Sequence, residues 1–423
     1  MCEPGRSGWP PRAQAVCAVA ARRRRSRGPA RHARERRALR AGRRQPLSAV
    51  SPLEGAQRVV IKIGSVLVAD TATGAIRETW LNALARDAAI LREQGRQVLI
   101  VSSGAAAAGR AFLPPDVHLR RIDERQAASA VGQIALLNAW RNAFQSCGFT
   151  VAQVLIGHDD LEERRNSLNA RATLEMLLRL GIVPVINEND TVATRELRYG
   201  DNDRLGARIA QLVSAHALVM LSSTDGLYTA DPELDQGARH IPEVSVITPD
   251  IESMAGESTT DSGSGGMVTK LQAARIVTAA GCSMVIADGR EPGALGALLN
   301  GARATWFLAT GSPRSARKRW IASQLDAAGS VTIDPGAAAA LRSGRSLLPA
   351  GVTQVAGQFE KGELILIKDA AGQLLGRGLA SYPAADAARI IGHRSDEIEP
   401  ILGYRWRDEL VHRDDLVLGP EAS

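Results

Sequence analysis

The sequence predicts an α/β fold, a mostly parallel sheet covered by helices on both faces and followed by a small β-rich barrel. Two observations predict it. From residue 58 to about 290, short apolar runs alternate with segments of helical period; after about residue 300 the runs shorten and Gly and Pro punctuate them closely. Alternating strands and helices favour a parallel sheet, because each parallel pair needs a crossover connection.

The strands come first in the chain's order. VVIKIG (59–64), VLIVSSG (98–104), TVAQVLI (150–156), IVPVIN (182–187), ALVMLSS (217–223) and SMVIADG (283–289) read as strands buried on both faces. Between them, TWLNALARDAAILREQG places Leu81, Leu84, Ala88 and Leu91 on one helical stripe that Gly95 stops. RNSLNARATLEMLLRLG repeats the pattern up to Gly181, and MVTKLQAARIVTAAG up to Gly281. GSPRSARKRW (311–320) reads as a basic, turn-rich linker, and GELILIKD (362–369) and HRDDLVL (412–418) as strand-like pieces of a second domain.

Charge is distributed unevenly. The 423 residues carry 52 Lys+Arg and 45 Asp+Glu, net +7. Residues 1–50 hold 14 Arg, no Lys, and only Glu3 and Glu35 as acids, which is net +12 and leaves 38 basic and 43 acidic groups for the rest. The body is therefore mildly acidic, which argues against a nucleic-acid-binding core. The Arg-rich segment lacks apolar periodicity and a secretory core, and is expected to be disordered. It reads as a nucleic-acid arm, a transit peptide or, preferred here, an upstream extension the fold does not need. No apolar run reaches the roughly 20 residues of a membrane helix. Cys2, Cys17, Cys147 and Cys282 show no metal-ligand spacing, which suits reduced thiols in the cytoplasm.

Several polar clusters fall at strand ends, where ligands of such sheets sit. GSGGMVTK (263–270) is a glycine turn opening a helix, an arrangement whose N–H groups favour anions. It matches neither the P-loop nor GxGxxG, and a capped flexible loop explains it equally well. Lys62 inside VVIKIG is either an edge lysine reaching out to water or a buried cation with a partner. Together with Lys270 it suits phosphoryl transfer, which depends on positive charge over the transferred group. In VSSGA (101–105), Ser103 can donate to a substrate carboxylate, and the small residues equally suit close packing of a helix on the sheet. NENDTVAT (187–194) and YGDNDRLGARIA (199–210) crowd Glu188, Asp190, Asp201 and Asp203 among Asn187, Asn189 and Asn202. That density suits recognition of an ammonium group and orientation of the lysines, while Asp201 could simply cap a helix.

VVIKIGS, IVSSGAAAAGR, RQAASAVGQIALLNAW, LNARATLEMLL, PVINENDTVAT, GDNDRLGA, GLYTADP and GSGGMVTKLQAA, in this order, resemble the glutamate 5-kinase group of the amino-acid kinase family. GSVTIDPGAAAALRSGRSLLPAGV, GELILI and HRDDLVL resemble a PUA domain. The resemblance covers about residues 57–418. It implies a three-layer α/β/α kinase domain over 57–310, a linker over 311–329 and a PUA-like domain over 330–418, with 1–56 as the extension.

It also implies an activity, ATP-dependent phosphorylation of the side-chain carboxylate of L-glutamate, the first step of proline biosynthesis. Lys62 and Lys270 would stabilise the transferring phosphoryl group and Asp203 would hold both lysines. Ser103, Asp190 and Asn202 would bind glutamate. Lys62, Ser222, Ser223 and the run Ser264, Gly265, Gly266, Met267, Val268, Thr269 and Lys270 would bind ATP. Magnesium would be held mainly by the nucleotide phosphates, with no dedicated protein ligands. Homo-oligomerisation and feedback inhibition by proline are further implications. The chain departs from the pattern where relatives carry Thr-Asp or Ser-Asp ahead of GLY. Here it reads Ser222-Ser223, so a side-chain nucleotide contact at that position would be lost and a backbone contact kept.

Two rival readings stand beside this one. A kinase acting on acetylglutamate, aspartate, carbamate or UMP is disfavoured by the PUA-like region together with NENDTVAT and GDND. An RNA-binding PUA protein with a vestigial kinase domain is disfavoured by intact Lys62, Asp203 and Lys270, and by a C-terminal region that is not especially basic.

Overall fold

The computed structural model describes residues 52–114, 117–192, 201–256, 266–323 and 326–419. The Arg-rich extension, Ser264, Gly265 and the side chain of Asp201 lie outside the described residues.

The six apolar runs form strands β1 (Arg58–Ile63), β2 (Gln97–Ser102), β3 (Val151–Ile156), β4 (Val183–Glu188), β5 (Ala217–Ser222) and, later, β9 (Ser283–Asp288). Between β5 and β9 lie the short β6 (Leu227–Tyr228), β7 (His240–Ile241) and β8 (Glu243–Val244), and β10 (Ala304–Phe307) follows. The main sheet runs β3-β4-β2-β1-β5-β9-β10-β8. Its neighbours pair in parallel, with β10 antiparallel to β9.

Strand alternation sends successive side chains to two separate cores. Val59, Ile61 and Ile63 pack with Leu81, Leu84, Trp140 and Phe144 of the helices Glu78–Glu93 and Ile122–Gln145. Val60, Leu99 and Leu218 pack with Leu174, Leu205 and Leu271 of the helices Arg164–Arg179, Asp201–Leu212 and Met267–Ala279. The sandwich is thus a three-layer α/β/α domain. Lys62 shares its face with Val60, directly under the helix Asp201–Leu212.

Strand β3 departs from the expected burial on both faces. It is the outermost strand next to β4, and Leu155 is 41% exposed. An edge strand lacks a neighbour to cover it, and its apolar run does not reveal that position. The run Ala105–Gly109 packs on the helix Ile122–Gln145 with backbones nearly touching: a Cβ on Gly132 would lie 1.9 Å from the Ala105 carbonyl. Small residues there serve close packing of helix on helix, rather than of a helix on the sheet as VSSGA suggests.

The C-terminal unit is a five-stranded sheet, β12-β11-β13-β14-β15, built from β11 (Gly329–Ile333), β12 (Val352–Gly357), β13 (Leu364–Lys368), β14 (Leu374–Leu379) and β15 (Leu416–Leu418). Val331, Ile365, Ile367 and Tyr382 centre its own core. The stretch read as turn-rich is instead the helix Pro313–Ser323, which buries Ala316 and Ile321. Its four basic residues concealed an apolar stripe too short to stand out.

Ion pairs close the seam between the two sheets. Asp415 accepts from Arg317 at 2.5 Å and lies 3.5 Å from both Arg171 and Arg407, while Glu175 pairs with Arg171 at 2.8 Å and Arg407 at 2.9 Å. Lys361 donates to Asn169 across the same seam and sits over the Trp406 ring. Among the described residues no helix is long and apolar enough to cross a membrane. Cys147 and Cys282 are free thiols.

Candidate active site

Lys62 is the fifth residue of β1, so its stem leaves the core just where the strand ends. Above it, the helix Asp201–Leu212 brings Asp203 to 2.5 Å from the Lys62 ammonium. Lys270, in the first turn of the helix Met267–Ala279, reaches the other oxygen of Asp203 at 3.4 Å. Thr269 donates to that same oxygen at 2.8 Å. Asp203 is 0% exposed and both lysines 7%. The lysine in VVIKIG is therefore a buried cation with a partner.

Among the described residues, Lys62 and Lys270 share the one carboxylate of Asp203. Burial works to raise the Asp203 carboxyl, but the Lys62 and Lys270 ammonium groups and the hydrogen bonds from Lys62 and Thr269 outweigh it and hold the pKa below the ordinary carboxylate value. Burial pushes the Lys270 ammonium down, with Asp203 opposing. Two ammonium groups at the end of a sheet, shielded from bulk water, are suited to an anion that gains charge during reaction.

Gly206 makes room for this arrangement. A Cβ there would stand 3.2 Å from Cγ and 3.3 Å from Cβ of Lys62. The helix can cross the lysine stem closely because this position carries no side chain.

On the other side of Lys62, the ends of β2 and β4 supply amides and hydroxyls. Asn202 donates to Ser103 Oγ at 2.8 Å and to Asn187 Oδ1 at 3.3 Å. Asn187 in turn donates to Gln133 Oε1 at 2.7 Å. The Asn202 Oδ1 atom is buried and has no hydrogen-bond partner among the described residues. Asp190 follows β4, and burial raises its carboxyl pKa. Trp140 donates to Ser102 Oγ at 3.1 Å beneath this wall. The wall combines a hydroxyl, an unused amide oxygen and a carboxylate, the groups needed to hold an α-amino acid.

The start of the helix Met267–Ala279 adjoins the cluster through Thr269 and Lys270. Gly266 caps it, and Met267, Val268 and Thr269 are half-buried in its first turn, with their N–H groups at the positive end of the helix dipole. Ser222 ends β5 and accepts from the Gly289 N–H at 2.7 Å through its carbonyl, while Ser223 is exposed. The structure thus joins Lys62, Ser103, Asn202, Asp203, Thr269 and Lys270 by direct contacts. Gly266 joins them through its carbonyl, which accepts from Thr269 Oγ1 at 2.9 Å; Asp190, Ser222, Ser223, Met267 and Val268 stand apart from these contacts among the described residues, and Ser264 and Gly265 lie outside those residues.

Sequence reasoning singled out neither Gln133 nor Gly206, and it gave Thr269 to the nucleotide alone. Gln133 sits in RQAASAVGQIALLNAW, where Gln126, Ser129 and Gln133 fall at helical spacing, and that polar row was the available signal. Gly206 lies within GDNDRLGARIA, where a glycine inside a helix costs stability and asks for a packing reason.

The amino acid kinase family matches residues 57–288, and the PUA domain matches residues 329–402. The chain is 55% identical over 372 residues to the glutamate 5-kinase of Paramagnetospirillum magneticum, covering 87% of this chain and 100% of that one. It is 54% identical over 359 residues to the glutamate 5-kinase of Rhodospirillum rubrum, covering 85% and 96% respectively. Glutamate 5-kinase 1 of Rhizobium meliloti is 54% identical over 366 residues, 86% of this chain and 93% of that one.

Proposed function

The chain belongs to the amino acid kinase family, and from that premise we propose that it transfers the γ-phosphoryl group of ATP to the side-chain carboxylate of L-glutamate. The product is L-glutamyl 5-phosphate, which opens proline biosynthesis. The single observation that carries the reading is the Lys62–Asp203–Lys270 cluster, two buried ammonium groups aligned by one carboxylate between the amide wall and the helix start.

The substrate carboxylate is itself the nucleophile, so no general base is required. The protein's part is positioning and electrostatics. Asp203 holds the two ammonium groups apart and aimed at the transferring phosphoryl group. Ser103, Asn202 and Asp190 hold glutamate. Ser264 through Lys270, together with Lys62, Ser222 and Ser223, hold ATP. Asp203 is already engaged by two lysines and Thr269, so a magnesium ion would be held mainly by the nucleotide phosphates and would supply charge neutralisation there.

In this reading the kinase domain spans 57–310, a connecting segment 311–329 and the PUA-like domain 330–418. The enzyme works in the cytoplasm as a homo-oligomer, with proline as feedback inhibitor at the glutamate wall. The RNA-binding alternative is disfavoured by the intact charge cluster.

The test is ADP release by the full-length protein with Mg·ATP and L-glutamate, with hydroxylamine present to trap an acyl phosphate as its hydroxamate. Glutamate-dependent ADP release with hydroxamate formation is the expected result. Turnover with another acceptor and none with glutamate would overturn the assignment, and salt-dependent RNA binding without any turnover would favour the alternative.

A further inference from the structure

The amide groups of the substrate wall form a chain with a direction. A side-chain amide presents an acceptor on one side and donors on the other, and its partners decide which faces where. Gln133 Oε1 accepts from Asn187 Nδ2 at 2.7 Å. That leaves Asn187 Oδ1 toward Asn202, whose Nδ2 donates to it at 3.3 Å and to Ser103 Oγ at 2.8 Å. Both Asn202 N–H groups are then used, and its buried Oδ1 has no partner among the described residues.

We infer that Gln133 is a positioning residue for the amino-acid substrate, because its carbonyl fixes the orientation of Asn187 and thereby leaves the Asn202 oxygen as a free acceptor for the substrate's ammonium. The inference rests on the reading of this wall as the glutamate site. Were a donor to replace the Gln133 carbonyl, Asn187 would turn its oxygen toward it and its NH2 toward Asn202. Asn202 would reverse in response and present NH2 where an ammonium must bind. Gln133 lies on the helix Ile122–Gln145, whose own packing in the core fixes where the Gln133 carbonyl stands.

Three variants of the full-length enzyme separate this role from simple packing. Gln133→Glu keeps an acceptor, Gln133→Met keeps the volume without it, and Gln133→Lys offers only donors. Steady-state kinetics with glutamate, with ATP saturating and then varied, should show KM for glutamate about tenfold higher in Gln133→Met and higher still in Gln133→Lys. In Gln133→Glu it should return to within about threefold of the parent. The KM for ATP and the melting temperature should move little. Unchanged KM for glutamate in Gln133→Met and Gln133→Lys would overturn the inference, as would equal losses in Gln133→Glu and Gln133→Met. If the parent enzyme prefers another amino acid, the glutamate assignment fails while the same three variants still judge Gln133 with that substrate. If it phosphorylates no amino acid, both fall.

Discussion

Lys62 and Asp203 meet at 2.5 Å, where β1 ends beneath the helix Asp201–Leu212, with side-chain exposures of 9% and 0%. A charge this buried persists only when paired, and here one carboxylate serves two ammonium groups. Asp203→Asn would leave both lysines facing a neutral amide. The expected loss is about 3–5 kcal/mol of stability and on the order of a hundredfold in kcat. Urea unfolding and initial rates on the same preparation check both. A variant as stable and active as the parent would remove Asp203 from the centre of the site.

Either lysine alone should matter more in the transition state than in substrate binding. Lys62→Ala and Lys270→Ala are each expected to lower kcat about a hundredfold or more, with a smaller rise in KM for glutamate. The opposite pattern, KM raised and kcat intact, would mean that the lysines bind the ground state only.

Gly206 sets stability against activity. Alanine at this helical position gains up to about 1 kcal/mol in helix propensity but places a Cβ 3.2 Å from the Lys62 stem. The prediction for Gly206→Ala is a melting temperature close to that of the parent and a kcat several-fold lower. Full activity would show that Lys62 yields without losing its aim.

The central strands and the two lysines were legible because each leaves a local mark. An apolar run interrupted by Lys62 and a glycine turn running into Lys270 can be read within a few residues. Asp203 was legible through its crowding with other acids and amides. The partnership of Thr269 with Asp203 was not, since it joins two helices 66 positions apart. Gln133 escaped for the same reason, 54 positions from Asn187. The edge position of β3 and the helix Pro313–Ser323 escaped because neighbours in the sheet and across the seam, not local pattern, set their burial.

The substrate wall should titrate. Burial holds the Asp190 carboxyl above its ordinary pKa, so in the free enzyme this group favours the folded state below the ordinary carboxyl value and loses that contribution as pH rises through the folded one. Binding an ammonium requires the ionised form. KM for glutamate should therefore rise as pH falls through the raised Asp190 value. Asp190→Asn should raise KM about 10- to 100-fold, lose that pH dependence and melt no lower than the parent. A pH profile shared by parent and variant would assign the titration elsewhere.

The seam carries the opposite sign. Burial would raise the Asp415 carboxyl, but Arg317 and Arg171, with a hydrogen bond from Arg317 and the nearby Arg407, hold it below the ordinary value. Its stabilising contribution is present above the unfolded carboxyl pKa of about 3.9 and is lost as pH falls through the depressed folded value. Asp415→Asn leaves Arg171, Arg317 and Arg407 with Glu175 as their remaining carboxylate in this network. The expected cost at pH 7 is about 3–5 kcal/mol, with a weaker acid dependence below pH ~4 than the parent shows. Equilibrium unfolding at pH 7 and at pH ~3.5 measures both terms. Because these ions join the C-terminal sheet to the helix Arg164–Arg179, the variant should also unfold in two transitions, the C-terminal unit first. A single transition at the parent's midpoint would mean that apolar contacts hold the seam and the ions contribute no net stability.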